Sequence, residues 1–266
     1  MGERPTLVDT LRTFLFVPAN RPERYAKAEA AGADAAILDL EDAVPADAKN
    51  DAREALRTDF SDRPVLLRVN ADRTPWHHAD IEYARSLPFA GIILPKAEDA
   101  TSVARFAGEV QKPVIALIES ARGLSNARQI AKTEGVVRLA FGSVDFCADL
   151  GSAHERDILL PARFELVLAS RLAGIAAPID GVTLEVNSAE AASSDAAHAR
   201  ALGMGGKLCI HPAQVEPVMS AFRPSEKEIA WAKTVLASGD GAVSVDGVMV
   251  DEPVRIRARA ILEQNG

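Results

Sequence analysis

Short apolar runs recur along the chain at nearly regular intervals, and a more polar segment of helix-forming composition follows each of them. The runs begin near residues 12, 35, 64, 91, 113, 137, 180 and 206. Runs of this length are typical of buried parallel strands, and their alternation with helical segments predicts βα units. Eight such units close into a (β/α)8 TIM barrel, which needs about 250 residues. The chain has 266 residues, so we predict this fold.

An open, doubly wound parallel sheet is the competing architecture for the same alternation. It is disfavoured because no Gly-x-Gly-x-x-Gly turn follows the first run. The glycine cluster at 203–206 precedes a run instead of opening a helix, so it is interpreted as a turn.

The helical segments and the last two strands can be bounded from the same pattern. Strand seven is predicted at 181–184 and strand eight at 207–210, and two more helices at 225–237 and 253–262 flank a connector at 239–247. We therefore divide the chain into a catalytic barrel, residues 1–222, and a C-terminal helical lid or oligomerisation segment, residues 223–266. The helices between strands are predicted at 21–31, 46–58, 76–86, 99–110, 124–132, 158–173 and 189–202.

Two carboxylates stand at the ends of successive apolar runs. Glu119 ends the run at 113–118, and Asp145 follows the run at 136–141. A helix between the runs gives a strand–helix–strand unit, whose right-handed crossover makes the strands parallel neighbours. Ligand chemistry in barrels lies at the carboxyl ends of the strands, and oxygen ligands with open positions suit Mg²⁺. The pair is a candidate magnesium site, and helix capping by two loop acids is the alternative interpretation.

Other polar residues also fall at or just beyond the ends of runs. A barrel gathers these ends around one mouth, so we expect the side chains to converge, with Glu41, Lys96 and His211 binding substrate. Arg68 could instead be an ion-pair partner of Glu41 or Asp42, Lys96 a solvated loop lysine, and His211 a cap on the last strand. The residues concerned are Asp39, Glu41, Arg68, Asn70, Lys96, Asn187 and His211.

Composition narrows the range of partners. The formal net charge is −8 and the isoelectric point is near 5.2, which argues against nucleic acid or an anionic membrane surface as a partner. No apolar run approaches the roughly 18 residues of a membrane-spanning helix. Cys147 and Cys209 are too few for a disulfide framework, so a reducing, cytoplasmic location is expected.

Several motifs resemble those of the citrate lyase β-subunit and malyl-CoA lyase family. They occur in the family's order and extend over nearly the whole chain, which makes the resemblance specific. The motifs are Phe-Val-Pro-Ala-Asn-Arg-Pro-Glu-Arg at 16–24, Gly-Ala-Asp at 32–34, Leu-Asp-Leu-Glu-Asp-Ala-Val at 38–44, Arg-Val-Asn at 68–70, Leu-Pro-Lys at 94–96, Leu-Ile-Glu-Ser-Ala-Arg-Gly at 117–123, Ile-His-Pro at 210–212 and Asp-Gly-Val-Met-Val-Asp-Glu-Pro at 246–253.

The resemblance implies a Mg²⁺-dependent carbon–carbon lyase. Such an enzyme cleaves or forms a 3-hydroxyacyl-CoA thioester of the malyl, citramalyl or citryl type, and its products are acetyl-CoA and a 2-oxoacid. By the same resemblance, Glu119 and Asp145 are the metal ligands, and Arg68 holds the oxoacid and its developing negative charge.

Further roles follow from the resemblance alone. Phe16, Arg21 and Lys27 match positions that contact CoA, although both cations could be ordinary surface residues. Asp251 matches an acid that reaches a neighbouring subunit's site from a C-terminal lid and exchanges the proton on the acetyl carbon. A homotrimer or a dimer of trimers is therefore expected. The alternative for Asp251 is a solvated acid near the end of an acidic chain.

The sequence departs from the family pattern at the walls of the site. Val144 stands where many relatives have a second acid, and Thr-Leu-Glu-Val-Asn at 183–187 replaces an aromatic and acidic pair. The acyl group therefore stays open. Three alternatives remain beside a standalone lyase: the β subunit of a citrate lyase, acting on a carrier-protein thioester; a malyl-CoA thioesterase; and a barrel that binds acyl-CoA or an oxoacid without turnover.

Overall fold

The computed structural model describes residues 6–239, 241, 243–245 and 248–263. The chain forms two compact units, and the boundary in the sequence falls between residues 219 and 220. The first unit contains all the βα units and the second contains the helical C-terminal segment.

The first unit is a closed barrel of parallel strands arranged in sequence order, with β1 paired to both β2 and β8. Helices lie between the strands, so the predicted (β/α)8 TIM fold is confirmed and the open sheet is excluded. The strands are β1 Thr13–Pro18, β2 Ala35–Asp39, β3 Val65–Arg68, β4 Gly91–Leu94, β5 Val114–Ile118, β6 Val136–Phe141, β7 Ala176–Asp180 and β8 Gly206–Cys209.

Burial on both faces explains why the strands are continuous apolar runs rather than alternating ones. Strands β2 to β5 are buried at every residue, because one face fills the barrel and the other packs on helices. The interior is aliphatic with one aromatic ring, and its buried members are Val8, Leu11, Phe14, Ala35, Ile37, Leu66, Ile93, Ile115, Leu117, Ala140, Ile179 and Leu208.

The helices of the first unit surround the barrel. Several begin with a capping side chain: Asp99 accepts from Ser102 N before α4, and Ser120 accepts from Gly123 N before α5. The helices are α1 Tyr25–Ala30, α2 Lys49–Glu54, α3 His77–Ser86, α4 Ala100–Val110, α5 Ala121–Ile130, α6 Ser143–Leu150, α7 Arg156–Ala173 and α8 Ala189–Ala201. A further helix, α9 Val215–Phe222, contains the boundary between the two units. None of the described helices is long and apolar enough to span a membrane.

The predicted position of strand seven, 181–184, is wrong. The strand is β7, Ala176–Asp180, and the apolar residues after it form a loop. Pro178 made the true strand look like a turn, since proline cannot donate to a ladder. In the loop, Thr183 Oγ1 donates to Asp195 Oδ2 at 2.7 Å and Gln214 Nε2 donates to Thr183 O at 2.8 Å, so its backbone and side chain are bound elsewhere than in the sheet.

Two helices around β6 also differ from the prediction. Helix α5 begins at Ala121 rather than at 124, because Ser120 caps it. Helix α6 was not predicted, and it places Asp145 in its first turn. The segment after strand six is therefore helical over Ser143–Leu150.

The second unit is described by itself. Helices α10 Glu226–Ala237 and α11 Glu252–Glu263 pack together around a small core that includes Ala232, Val235 and Ala258. Between them lies an antiparallel pair, β9 Val243–Val245 and β10 Val248–Val250, where only a connector was predicted. Residues 246 and 247 of the 246–253 motif lie outside the described part of the chain.

Candidate active site at the carboxyl ends of the strands

A cavity of about 660 Å³ opens at the barrel mouth. It is walled by the ends of β1, β2, β3, β5, β6 and β8 and by the loops that follow β1, β2 and β5 to β8. Its apolar lining includes Leu15, Leu117, Phe141 and Leu208. Its charged residues are the cations Arg24, Lys27 and Arg68 and the carboxylates Asp39, Asp42, Glu119 and Asp145.

Glu119 is buried at the end of β5, where one of its two carboxylate oxygens is bound and the other is not. Oε1 accepts from the backbone N of Lys96 at 2.7 Å, and Lys96 Nζ lies 3.8 Å from it. Lys96 holds this position with φ of 48°. Oε2 is buried and has no hydrogen-bond partner among the described residues. Burial raises the pKa of Glu119 to about 7, against the lowering effect of Lys96.

A glycine brings the second acid close to the first. A Cβ added to Gly142 would lie 2.5 Å from both Cβ and Oε2 of Glu119, so only glycine fits here. Gly142 N also donates to Ile118 O at 2.9 Å, which ties the end of β6 to β5. Helix α6 starts at the next residue and carries half-buried Asp145, whose charge contributes to the raised pKa of Glu119.

These observations fit a divalent cation held by Glu119 and Asp145. A buried carboxylate oxygen without a partner is costly unless a cation or proton binds it. Among the described residues no group of three or more His, Cys, Asp or Glu side chains could hold a metal. Two carboxylates suit Mg²⁺, which usually keeps several waters and shares its remaining positions with a substrate.

Arg68, at the end of β3, also lines the cavity and is held by several acids. Nε and Nη2 donate to the two oxygens of Asp39, each at 2.7 Å, and Nη1 lies 2.8 Å from Glu41 Oε2. A longer pair links Nη1 to Asp42 at 3.6 Å. The ion-pair alternative for Arg68 is thus realised with Glu41 and Asp42, but the strongest partner is Asp39, which sequence reasoning did not assign to it. The guanidinium has more N–H groups than these contacts use, so it can also bind a substrate anion.

Glu41 follows β2 and is buried beside Arg68. Burial raises its pKa to about 8, although Arg68 acts in the opposite direction. The loop that carries it is held by Lys49, whose Nζ donates to Leu40 O and Glu41 O, each at 2.7 Å. Lys49 in turn lies over the ring of Trp76, 5.1 Å from its centroid.

Of the three residues predicted to contact CoA, two line the cavity and one does not. Phe16 and Lys27 line the cavity, and the Phe16 ring lies 4.8 Å from the guanidinium carbon of Arg68. Arg21 is not part of the wall: its exposed side chain pairs with Glu23 at 2.5 Å. Arg24, which was not among the predicted CoA contacts, lines the cavity instead.

The remaining predicted residues are divided between the mouth and the second unit. His211 lines the cavity, and its Nδ1 also accepts from Ala213 N at 3.2 Å as a cap. Lys96 lies beside Glu119, at the edge of a second, smaller cavity that extends toward Arg122. Asp251 belongs to the second unit, where its Oδ1 accepts from Val254 N at 3.4 Å at the start of α11.

Sequence reasoning missed the small residues that assemble the site. Gly142 and Gly181 allow close approaches that no pattern of polar residues reveals. A glycine directly after an apolar strand was the available signal for Gly142, since such glycines often mark close backbone contacts.

The fold and site define a TIM barrel whose mouth holds, in one cavity, an acidic pair suited to a divalent cation and an ion-paired arginine. The chain belongs to the HpcH/HpaI aldolase/citrate lyase family, whose model matches residues 12–212. This confirms the resemblance seen in the sequence.

Individual relatives match nearly the whole chain. The citrate lyase subunit beta-like protein of Mycobacterium tuberculosis is 39% identical over 264 residues, covering 95% of each chain. A (3S)-malyl-CoA thioesterase of Cereibacter sphaeroides is 34% identical, covering 94% of this chain and 93% of its own. The crystal structure of CitE from M. tuberculosis in complex with magnesium, acetoacetate and coenzyme A superposes with a TM-score of 0.88, at 38% identity, covering 97% of this chain and 98% of that one.

Proposed function

We propose that this protein is a Mg²⁺-dependent carbon–carbon lyase that cleaves or forms a 3-hydroxyacyl-CoA of the malyl, citramalyl or citryl type. The observation that carries the proposal is the buried Glu119 oxygen, Oε2, which has no hydrogen-bond partner in the part of the chain that the structure describes and lies in a cavity that Asp145 and Arg68 also line. A solved relative contains magnesium with coenzyme A, and others contain magnesium with pyruvate or oxaloacetate, which supports the ligand classes proposed here.

Cleavage of such a thioester makes clear demands on the site. The hydroxyl loses its proton, the carbon–carbon bond breaks, and its electron pair moves to the α-carbon of the departing thioester, which then takes up a proton. Glu119 and Asp145 would hold Mg²⁺, and the chemistry it supplies when bound is Lewis-acid polarisation of the oxygens of the oxoacid fragment.

Arg68 binds the negative charge of the oxoacid. Asp39 and Glu41 hold its guanidinium in one orientation before substrate arrives, so little reorganisation is needed during the reaction. Lysine could not replace it, because a point charge lacks the planar, bidentate geometry that a carboxylate requires. Phe16 packs on the guanidinium and excludes water from one side.

Two cations on the cavity wall and one acid of the second unit also have roles in the proposed reaction. Arg24 and Lys27 bind the phosphate groups of CoA at one side of the cavity. Asp251 exchanges the proton on the acetyl carbon in a neighbouring subunit, within a homotrimer or a dimer of trimers. The role of Asp251 and the oligomer follow from the resemblance to the family, and a cytoplasmic location follows from the small number of cysteines.

Two other activities have relatives in their favour. A thioesterase that hydrolyses malyl-CoA is supported by the C. sphaeroides relative, and a citrate lyase β subunit by one from Leuconostoc mesenteroides, which is 35% identical. The first needs water to reach the thioester carbonyl, and the second needs a carrier-protein thioester in place of CoA.

A panel of thioesters separates these activities. The protein is incubated with Mg²⁺ and malyl-, methylmalyl-, citramalyl- or hydroxymethylglutaryl-CoA, and oxoacid and free thiol are followed separately. A lyase releases oxoacid without free thiol, because the thioester survives in acetyl-CoA, and we expect this result with at least one substrate. Free thiol without oxoacid would identify a thioesterase. Neither product from any CoA thioester, with turnover of a citryl carrier-protein, would identify the citrate lyase subunit.

A further inference from the structure

Ser143, the first residue of α6, lies two positions before Asp145 and is clamped from two sides. Its Oγ lies 2.9 Å from Nε2 of His154. On the other side is the backbone of Gly181, where an added Cβ would lie 2.2 Å from Ser143 Oγ. Ser143 is 1% exposed, so its hydroxyl has little freedom to find another partner.

Helix α6 depends on this clamp because it lacks the usual restraint at its start. Its N-cap residue is Gly142, which has no side chain to bond the free N–H groups of the first turn. Asp145 lies in the first turn of this helix. The turn is anchored by the backbone hydrogen bonds of Gly142 and by the hydroxyl of Ser143.

The glycine side of the clamp is held by a buried ionic group behind β7. Lys207 Nζ donates to Gly181 O at 2.6 Å and lies 3.3 Å from Asp180 Oδ2. Arg163 Nε donates to Asp180 Oδ1 at 2.8 Å. These side chains are at most 5% exposed, so Gly181 cannot retreat from Ser143 without breaking buried pairs.

On the histidine side of the clamp, His154 Nε2 forms a hydrogen bond with Ser143 Oγ of α6. His154 lies in the loop between α6 and α7, and burial, with the charges of Arg163 and Lys207, lowers its pKa. The imidazole is therefore neutral near neutral pH and has one donor and one acceptor nitrogen. Ser143 can satisfy Nε2 in either tautomer, because a hydroxyl both donates and accepts.

We propose that His154 is a positioning residue, which fixes the carboxylate of Asp145 for a divalent cation by holding Ser143 against Gly181. The inference rests on the proposed function, because it takes Asp145 to be a metal ligand. Residues that orient metal ligands typically change metal affinity about 10- to 100-fold when they are removed. His154 does not itself line the cavity but contacts Ser143, which does, so its effect passes through Ser143 and the start of α6.

The test measures the dissociation constant of Mn²⁺ by electron paramagnetic resonance, in place of Mg²⁺ and without substrate. We expect His154→Ala to weaken binding about 10- to 100-fold, and His154→Gln, whose amide can bond Ser143, to restore most of it. His198→Ala is the matched control, since His198 also has a pKa lowered by burial and by Arg163 but does not contact Ser143. Equal weakening in this control would overturn the proposal.

A double-mutant cycle separates positioning from a general loss of structure. His154→Ala and Ser143→Ala remove opposite ends of one bond, so the double variant should bind Mn²⁺ as weakly as either single variant. Additive losses would overturn the proposal, and so would an unchanged affinity in His154→Ala. Glu119→Gln tests the metal assignment separately: if it leaves Mn²⁺ affinity unchanged, the proposed function fails at its own site.

Discussion

The barrel mouth has two charged regions, one around Arg68 and one around Glu119. They differ in how completely the protein itself supplies partners for the charged groups. Around Arg68 each strong donor meets an acid: Asp39 binds it with both oxygens and Glu41 lies 2.8 Å away. Around Glu119 the balance is incomplete, because Oε2 is buried without a partner among the described residues. Glu41 Oε2 also lacks a hydrogen bond, but it lies 2.8 Å from the charge of Arg68, whereas the ion pair of Glu119 with Lys96, at 3.8 Å, is made by the other oxygen, Oε1.

This difference separates two functions of buried charge. A buried pair that is satisfied internally fixes an orientation, which suits an arginine that must meet a substrate carboxylate. A buried carboxylate that is left unsatisfied raises the free energy of the ligand-free protein and thereby favours binding of a cation. The Arg68 region is therefore expected to contribute to stability, and the Glu119 region to affinity.

The largest effects are expected from substituting the central residue of each region, Glu119 or Arg68. Glu119→Gln should abolish Mn²⁺ binding and reduce lyase turnover by roughly 10³-fold or more, without lowering the melting temperature of the metal-free protein. Arg68→Met should instead destabilise the metal-free protein by about 3–5 kcal/mol, because Asp39 would remain buried without its cation. Metal binding, turnover and thermal unfolding in EDTA are measured on both variants.

The comparison would fail if the two variants behaved alike. A Glu119→Gln protein that melts well below wild type would mean that its carboxylate is structural. An Arg68→Met protein as stable as wild type would mean that Asp39 tolerates burial without it.

A medium effect is expected from the backbone approach that unites the two metal acids. Gly142→Ala would place a methyl group 2.5 Å from Glu119 Cβ and Oε2, so Glu119 must shift. We expect Mn²⁺ affinity to fall about 10- to 100-fold. Gly108→Ala is the control, since an added Cβ there meets nothing within 4 Å. Isothermal titration calorimetry with Mn²⁺ measures both variants, and equal affinities would show that Glu119 adapts without loss.

The barrel and the acidic pair were predictable because each depends on a local pattern. Apolar runs of strand length followed by helical segments appear directly in the sequence, and the register of a barrel places Glu119 and Asp145 at one rim. Strand seven was predicted to begin five residues too late, at 181 instead of at Ala176, because Pro178 interrupts the true strand. Local pattern cannot show that Asp180 after this proline is fixed by Arg163 and Lys207, which come from other elements.

The ion pairs of the site were less predictable for the same reason. Asp39 was expected at the mouth, yet its bidentate pairing with Arg68 requires that β2 and β3 pair in the register Asp39↔Arg68. The choice between Arg21 and Arg24 on the cavity wall likewise depends on the short turn at Pro22–Arg24, which redirects the chain before α1. Contacts set by register or by a single turn are not visible in composition or spacing.

The smallest effect concerns Glu41, which borders both regions. Burial raises its pKa from 4.5 in the unfolded chain to about 8, with Arg68 opposing the shift and Glu119, Asp42 and Asp39 adding to it. A raised carboxyl pKa means that the folded state keeps a proton that the unfolded state loses. The contribution of Glu41 to stability is thus fully present below pH 4.5 and is lost as the pH rises through about 8.

Glu41→Gln should remove this loss, because the amide does not titrate. The melting temperature of the metal-free wild type, measured by scanning calorimetry, should fall relative to that of Glu41→Gln by a few degrees between about pH 5 and about pH 9. Glu109→Gln, at an exposed position on α4, should follow wild type at every pH. A constant difference between wild type and Glu41→Gln across this range would mean that Arg68 keeps Glu41 ionised, and the Arg68 region would then be a fully charged cluster rather than one that holds a proton.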